Sequence, residues 1–176
     1  AETPSWWKKY MAPEGLRLGL DLQGGMHLVL KVDLDKAQAD SLELAAADLK
    51  ETLKEQGVSV VRTPASPGTV IFTLPNLGAM DTVTAMVQDN FPNINTTVEA
   101  VAGSFPKITL SLKEAEIKFI RSNAVNQSLE IIRNRIDQFG VAEPVIIRQG
   151  EDEIVVQLPG VKDPKRAMKL LGETAQ

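Results

Sequence analysis

The stretch that decides how this chain begins to fold is Gly19-Leu20-Asp21-Leu22-Gln23-Gly24-Gly25. Apolar residues alternate with other residues from Leu18 to Leu22, and they alternate again from Met26 to Val32. Alternation of this kind is the period of a half-buried β-strand. Glycine inside a strand pattern typically marks a bend or a close approach of two backbones. The stretch therefore predicts strand structure that is interrupted by a bend at the glycine pair.

A glycine-rich stretch can also hold a phosphate, and this alternative has to be compared with the bend. Phosphate loops combine glycines with a Lys-Ser/Thr pair or a G-x-G-x-x-G spacing, and a helix begins directly after them. Residues 19–25 have neither feature, and the next predicted element is a strand. The structural bend is therefore favoured, and no nucleotide site is predicted.

A second phrase, Arg133-Asn134-Arg135-Ile136-Asp137-Gln138-Phe139-Gly140-Val141-Ala142-Glu143-Pro144-Val145, lies towards the end of the chain. It predicts a helix end with a glycine cap at Gly140, followed by a strand. Arg133 and Arg135 would lie in the last turns, where the helix dipole favours positive charge. Binding of a partner is the alternative role for these two arginines. A third phrase, Ile154-Val155-Val156-Gln157-Leu158-Pro159-Gly160, follows at the distance of a β-hairpin.

Periodicity and capping signals divide the whole chain into the order β-α-β-β-α-β and then β-α-β-β-α. This order predicts an α+β fold of two ferredoxin-like α/β sandwich units, each an antiparallel sheet with helices on one face. The second unit lacks its last strand, so we interpret Gln176 as a boundary within a larger protein. We place the helix starts at Asp35, about Gly78, Ser111 and Asp163, and the helix ends at Gly57, Asn90 and Gly140.

Composition excludes several classes of function. The 176 residues carry a net charge of −4 without a basic stripe, so no nucleic-acid partner is expected. There is no cysteine and a single histidine, His27, which leaves little material for a catalytic relay or a metal centre. The acidic run Glu151–Glu153 falls at a predicted hairpin turn and lacks the ligand spacing of a calcium loop. No catalytic, cofactor-binding or metal-binding residue is predicted, and an enzyme is not expected.

Together and in this order, the three phrases resemble the first periplasmic region of the SecD/SecF family of bacterial protein-export membrane proteins. The resemblance covers residues 16–34 and 107–172, and it departs at Gln23, where relatives often carry a basic residue. It implies a structural role for the motif residues, which are Gly19, Leu20, Asp21, Leu22, Gly24, Gly25, Arg133, Asn134, Arg135, Gly140, Val141, Glu143, Pro144, Leu158, Pro159 and Gly160.

The resemblance also implies an organisation and a place in the cell. Residues 1–15 would be a juxtamembrane segment, residues 16–34 and 107–176 a bipartite base, and residues 35–106 an inserted α+β lobe. The fragment would lie on the periplasmic side of the bacterial inner membrane, beside flanking membrane spans. The aromatic and basic residues of the juxtamembrane segment would then suit a membrane interface, with ordinary packing as the alternative. These residues are Trp6, Trp7, Lys8, Lys9 and Tyr10.

For function, the resemblance implies work with SecF beside the SecYEG channel. The proton-motive force would help to complete export, and this region would contact the emerging unfolded secretory polypeptide and move relative to the membrane part. No cofactor is implied. The alternative from another class is a stand-alone ferredoxin-like module that senses a small effector between paired units. That module needs a polar, glycine-rich junction, for which Gly24-Gly25 and Gly103 are the available residues.

One structural prediction follows from the family's arrangement, and a second follows from the order of elements. The strand near Met26–Val32 should lie in one sheet with the hairpin of Val145–Arg148 and Ile154–Leu158, although the order of elements alone would also let it complete the first unit. The missing last strand should leave a bare sheet edge, which self-association or distortion would protect. Real contact with exported polypeptide is then expected elsewhere, with the inserted lobe as the candidate.

Overall fold

The computed structural model describes residues 17–21, 25–138, 140–161, 163 and 171. Eight strands and three helices are formed by these residues. In chain order they are β1 (Arg17–Asp21), β2 (Gly25–Lys31), α1 (Leu34–Glu55), β3 (Val61–Thr63), β4 (Val70–Thr73), α2 (Ala79–Asn90), β5 (Ile94–Glu99), β6 (Lys107–Leu112), α3 (Glu114–Gln138), β7 (Val145–Gln149) and β8 (Glu153–Pro159).

The chain forms two compact units, each with its own sheet and its own core. The first unit comprises residues 1–37 and 120–176, and the second comprises residues 38–119. Both sheets have four described strands, and every neighbouring pair is antiparallel. The predicted α+β class with antiparallel sheets is confirmed.

The sheet of the first unit has the strand order β1-β2-β8-β7. β2 pairs with β8 from Gly25↔Pro159 to Lys31↔Glu153, so the opening strand shares a sheet with the hairpin, as predicted. Alternate residues of β2 are buried in one core with α3, because side chains of a strand point to opposite faces in turn. In β8, Ile154, Val156 and Leu158 join this core, and Val155 on the other face is buried as well. The fully buried members of this core include Leu28, Leu30, Ile132, Ile136, Ile154, Val156 and Leu158.

The predicted bare edge, where the chain stops before its expected last strand, is not found on the free side of β2. In a ferredoxin-like unit built from β2, α3, β7 and β8, the last strand would pair with the free side of β2. β1 lies on that side, in antiparallel register from Arg17↔Val29 to Asp21↔Gly25. Three residues join β1 to β2, so the stretch around the glycine pair folds back on itself and the chain covers its own edge.

The sheet of the second unit has the order β3-β4-β6-β5, and α1 and α2 supply the rest of its core. β6 lies between β4 and β5 and pairs with both. Residues 107–112 therefore belong to this sheet, whereas the family resemblance had assigned residues from 107 onwards to the base. The physical reason is that Ile108 and Leu110 are fully buried beside Phe72 in this core.

Two helix starts differ from the prediction. α1 begins at Leu34, because the Oδ1 atom of Asp33, rather than Asp35, accepts the N–H of Lys36 at 3.0 Å. This is the bond of an N-cap residue to the third position of a helix. α3 begins at Glu114, because Ser111 pairs with Asn95 inside the sheet and is not free to cap. Helix ends were predicted more accurately: Gly57 and Gly140 have φ values of 77° and 66° and follow α1 and α3.

Candidate functional site

The motif residues converge at one end of the first unit's sheet. There Asp21 ends β1 opposite Gly25, and Gly25 lies opposite Pro159 of β8. Two rows further along β8, Gln157 lies opposite Val145, directly after Pro144. Parts of all three sequence phrases therefore meet at this place, which we call the motif end, although more than a hundred residues separate the first phrase from the second. Leu22 and Gly24 lie outside the described residues.

Gly25 has a specific packing reason to be glycine. A Cβ atom at this position would lie 3.1 Å from the carbonyl oxygen of Leu158 and 3.2 Å from the Cα atom of Pro159. Both neighbours are backbone atoms of the paired strand β8, which cannot rotate away as a side chain would. The glycine therefore serves close packing of β2 against β8, and β2, not a helix, follows it.

Replacing Gly25 by alanine is expected to lower the free energy of unfolding by about 1–3 kcal/mol, because the added methyl group overpacks a backbone contact. Chemical denaturation monitored by circular dichroism measures the loss. Gly78→Ala is the matched control: φ at Gly78 is −64°, and its Cβ would meet the side-chain atom Oδ1 of Asn76 at 3.3 Å. That oxygen also accepts the N–H of Ala79 at 3.0 Å, but a side chain can shift by a few tenths of an ångström, so the control should lose much less stability than Gly25→Ala. Equal losses in both variants would contradict the packing explanation.

The connection from α3 to β7 is a tight turn with one unusual residue. Glu143 has φ of 52°, the one positive value at a non-glycine residue in the described part of the chain. A left-handed conformation costs an ordinary residue about 1–2 kcal/mol. Such strain persists where surrounding packing dictates the backbone, and here the preceding Val141 packs against the core. The turn thus brings Pro144 and β7 to the motif end.

The two motif arginines have different surroundings. Arg135 is 7% exposed, and its Nη1 atom donates a hydrogen bond to the carbonyl oxygen of Leu171 at 2.9 Å. Burial lowers the pKa of Arg135. Arg133 is exposed on the same helix. Arg135 therefore ties α3 to the chain near Leu171, and Arg133 is the member of the pair that is available to a partner.

Residues 6–10, the aromatic and basic cluster, lie outside the described residues. Among the other motif residues, Gly19 lies in β1 opposite His27, and Asn134 is exposed on α3. His27 has Gly19 and Gln157 as its two cross-strand neighbours, so the strand ladder supplies it with no acidic partner.

A charged cleft of about 290 Å³ lies at the opposite end of the same sheet. Both of its basic side chains are paired within the protein: Lys31 pairs with Asp152 at 3.3 Å, and Arg121 pairs with Asp35 at 2.8 Å. No group of three metal-ligating side chains occurs among the described residues. The predicted acidic run takes part in this local pairing through Asp152. The cleft is lined by Lys31, Val32, Asp33, Leu34, Asp35, Arg121, Glu151 and Asp152.

Four exposed apolar residues lie near one end of the second unit's sheet. Each is 64–67% exposed, and each lies in or within four residues of the cross-strand row formed by Val61, Thr73, Lys107 and Glu99. The N–H of Leu74 donates to the carbonyl oxygen of Pro106 at 2.8 Å, which joins the β4–α2 and β5–β6 loops. We call this surface the apolar loop end; it consists of Val61, Leu77, Val101 and Phe105.

Sequence reasoning missed the apolar loop end, although a signal was present. Leu77 lies in the turn Pro75-Asn76-Leu77-Gly78, and Phe105 lies in the turn that contains Gly103. Turns of this kind are usually polar, so large apolar residues inside them indicate a surface that is used for contact.

The second unit also carries an ion pair between α1 and its sheet. Arg62 of β3 donates two hydrogen bonds to the carboxylate of Glu43. This bonding lowers the pKa of Glu43 and raises the pKa of Arg62. The pair therefore links the helix layer to the edge strand β3.

Replacing Glu43 by glutamine is expected to cost less than about 1 kcal/mol at pH 7, since both side chains are about half exposed and screened by water. Because the folded-state pKa of Glu43 is lowered, its contribution is complete above the ordinary value of 4.5 and disappears as pH falls through the folded value. Denaturation at a series of pH values should show wild type and variant converging in acid. Glu51→Gln, in the exposed pair with Lys54, is the control. A difference that persists unchanged at pH 2 would contradict this account.

Comparison with known proteins identifies the family. A family profile described as "Protein translocase subunit SecDF, P1 domain, N-terminal" matches residues 125–176. A second, described as "SecD/SecF GG Motif", matches residues 14–33. These matched ranges include the glycine pair, the helix-end phrase and the third phrase that meet at the motif end. No solved structure was found to match the chain.

Individual relatives cover nearly the whole chain. Protein translocase subunit SecD of Syntrophobacter fumaroxidans is 39% identical over 175 residues, which are 98% of this chain and 33% of the relative. SecD of Escherichia coli K12 is 38% identical over 175 residues, covering 98% and 28%. SecD of Pseudomonas aeruginosa is 32% identical over 173 residues, with the same coverage. The chain thus spans about a third of the length of these relatives.

Among the described residues, no helix is long and apolar enough to cross a membrane. The family resemblance in the three phrases is confirmed by the profiles and by the relatives. The chain therefore belongs to the SecD/SecF family and corresponds to the first periplasmic region of SecD.

Proposed function

We propose that this chain is the part of a Sec translocase subunit that contacts exported polypeptide on the periplasmic side of the inner membrane. Its relatives are named protein translocase subunit SecD. In the proposed setting it works with SecF beside the SecYEG channel. The whole protein uses the proton-motive force to help complete export, and this region moves relative to the membrane part.

The observation that carries the contact role is the apolar loop end of the second unit. Four large apolar side chains at one end of a small lobe remain about two-thirds exposed. Large apolar side chains that stay exposed at one end of a lobe favour an interaction site there. An unfolded polypeptide exposes apolar side chains that a folded protein would bury, so the two surfaces are chemically complementary.

The two units have different parts in this proposal. The inserted lobe, proposed from sequence as residues 35–106 and extended by β6, holds the client. The base carries the motif end, and its motif residues have the structural roles seen at Gly25 and Arg135. The segment of residues 1–15 connects the base to the membrane, with Trp6, Trp7, Lys8, Lys9 and Tyr10 at the interface.

We also propose that the chain has no catalytic activity of its own. His27 is the single histidine, and the two basic side chains of the charged cleft, Lys31 and Arg121, are paired with carboxylates of the protein. Isothermal titration with ATP should give no heat of binding. Saturable binding of ATP or its turnover by the purified chain would contradict this part of the proposal.

Site-specific cross-linking tests the contact role. A photo-reactive amino acid is placed at Phe105 or Val101 in the intact translocase subunit in membrane vesicles. A secretory preprotein is then arrested in transit by a folded domain at its C-terminus. Exposed polar positions of the same lobe, Lys50 and Gln88, are the matched controls.

We expect the preprotein to be labelled several-fold more from Phe105 and Val101 than from the controls. Equal labelling from all four positions would show that the preprotein passes near the lobe without binding specifically at the apolar loop end. No labelling from the lobe, with labelling from elsewhere in the subunit, would remove the client-holding role from this chain.

A further inference from the structure

β5 forms an edge of the second unit's sheet. Among the described strands it pairs with β6 and with no other. It leads directly into the loop that carries Val101 and Phe105, so its backbone is continuous with the apolar loop end.

Two hydrogen bonds identify which backbone groups of β5 face outwards. The N–H of Lys113 donates to the carbonyl oxygen of Asn93, and the N–H of Leu74 donates to the carbonyl oxygen of Pro106. Because N–H and C=O groups alternate sides in an antiparallel strand, Thr97 directs its groups at Thr109 of β6. Thr96 and Val98 therefore direct both their N–H and their C=O groups away from the sheet.

This edge has few of the usual devices that prevent strand pairing, and Glu99 is its one charged residue. Such devices are lysine, proline, a bulge or a very short strand. β5 has six residues, and its sequence Ile-Asn-Thr-Thr-Val-Glu contains four β-branched residues without lysine, proline or glycine. The opposite edge of the same sheet, β3, has three residues and includes Arg62. The contrast between the two edge strands indicates that β5 is the one suited to pair with a further strand.

The charge of the lobe favours one kind of occupant. Ten acidic and six basic side chains lie between residues 38 and 119. Glu99, one of these ten acidic residues, lies in β5, which has no basic residue. An extended segment that is neutral or basic is therefore complementary to this edge, whereas an acidic segment is repelled.

We propose that β5 binds an extended, neutral or basic segment of exported polypeptide by strand addition, an inference that rests on the proposed function. The segment bonds to the backbone groups of Thr96 and Val98, and its apolar side chains reach the apolar loop end. Backbone bonding provides affinity without a defined sequence. This suits a surface that must accept many different unfolded clients.

Proline substitution at the edge tests the mechanism. Thr96→Pro removes an N–H that points away from the sheet, so the fold should tolerate it. Thr96→Ala removes the side chain and keeps the N–H, and it is the matched control. Circular dichroism and thermal unfolding establish that both variants of the 176-residue chain are folded. Val98→Pro and Val98→Ala repeat the comparison at the second position.

The probe is the fluorescein-labelled peptide Lys-Lys-Thr-Val-Thr-Phe-Thr-Val-Lys-Lys, and fluorescence anisotropy measures its Kd. We expect Thr96→Pro to weaken binding at least tenfold and Thr96→Ala less than twofold. A peptide with glutamate in place of its lysines should bind several-fold more weakly than the probe. Hydrogen exchange of the wild-type chain should show new protection at the amides of Thr96 and Val98 when the peptide is bound.

The outcomes separate this inference from the proposed function. If Thr96→Pro binds as tightly as Thr96→Ala while Phe105→Ser loses binding, strand addition is wrong and the apolar contact stands. If the wild-type chain binds no peptide and labels no preprotein, the proposed function fails, and the inference fails with it.

Discussion

Replacing Arg135 by alanine is expected to lower the free energy of unfolding by about 2–4 kcal/mol. Two losses add in this variant. The carbonyl oxygen of Leu171 loses a charge-assisted hydrogen bond of 2.9 Å, which is worth about 1.5–3 kcal/mol. The aliphatic part of a side chain that is 7% exposed also leaves a cavity beside the core.

Arg133→Ala is the matched control, because it removes the same side chain two residues earlier from an exposed position of the same helix. Its effect should stay within about 0.5 kcal/mol. Urea denaturation monitored by circular dichroism measures both variants. A second variant, Arg135→Met, keeps most of the volume and should recover part of the loss. Equal stabilities of the Arg133 and Arg135 variants would contradict a structural role for Arg135.

Replacing Phe72 by alanine is expected to cost about 3–5 kcal/mol, the largest effect among these variants. Phe72 is 1% exposed in the centre of β4, where its ring packs in the core of the second unit. Removal of a buried aromatic ring loses its transfer free energy and leaves a cavity that the paired strands cannot close. Thermal unfolding followed by circular dichroism measures the effect.

Phe105→Ala is the same substitution in the same lobe, but we expect it to affect peptide binding rather than stability. Its ring is 66% exposed, so stability should change by less than about 0.5 kcal/mol while peptide binding weakens. Measuring stability and peptide affinity for both variants therefore separates packing from contact. A loss of stability in Phe105→Ala comparable to that in Phe72→Ala would show that the apolar loop end is a packing surface.

Local patterns in the sequence were sufficient for most of the secondary structure. Helix ends at Gly57 and Gly140 could be predicted because a left-handed residue after a helix is most easily glycine. Helix starts were harder, because both Asp33 and Asp35 are good capping residues and the choice depends on where β2 stops. Ser111 has a capping side chain as well, and tertiary pairing with Asn95 placed it in a strand instead.

The polar core positions of α3 illustrate a second limit. Ser128 and Arg135 lie in phase with the buried residues Val125 and Ile132, so helical periodicity could have predicted their burial. Residue type predicts exposure instead of burial, because arginine and serine side chains are mostly exposed in proteins. Among the described residues the hydroxyl group of Ser128 has no hydrogen-bond partner, whereas Arg135 donates to the carbonyl oxygen of Leu171. Periodicity indicates the buried face of a helix, but only the tertiary structure shows how each polar residue on that face is accommodated.

The amino-acid sequence alone determined the family, the α+β class and the location of the glycine pair, because these depend on residue types at short spacings. Tertiary structure alone decided that Gly25 lies against Leu158 and Pro159, that β1 covers the edge of β2, and that β5 pairs on one side only among the described strands. It also placed Val61, Leu77, Val101 and Phe105 near one end of the second sheet. These features depend on which strands pair, and pairing is selected by the burial of two separate cores over distances along the chain that no local pattern records.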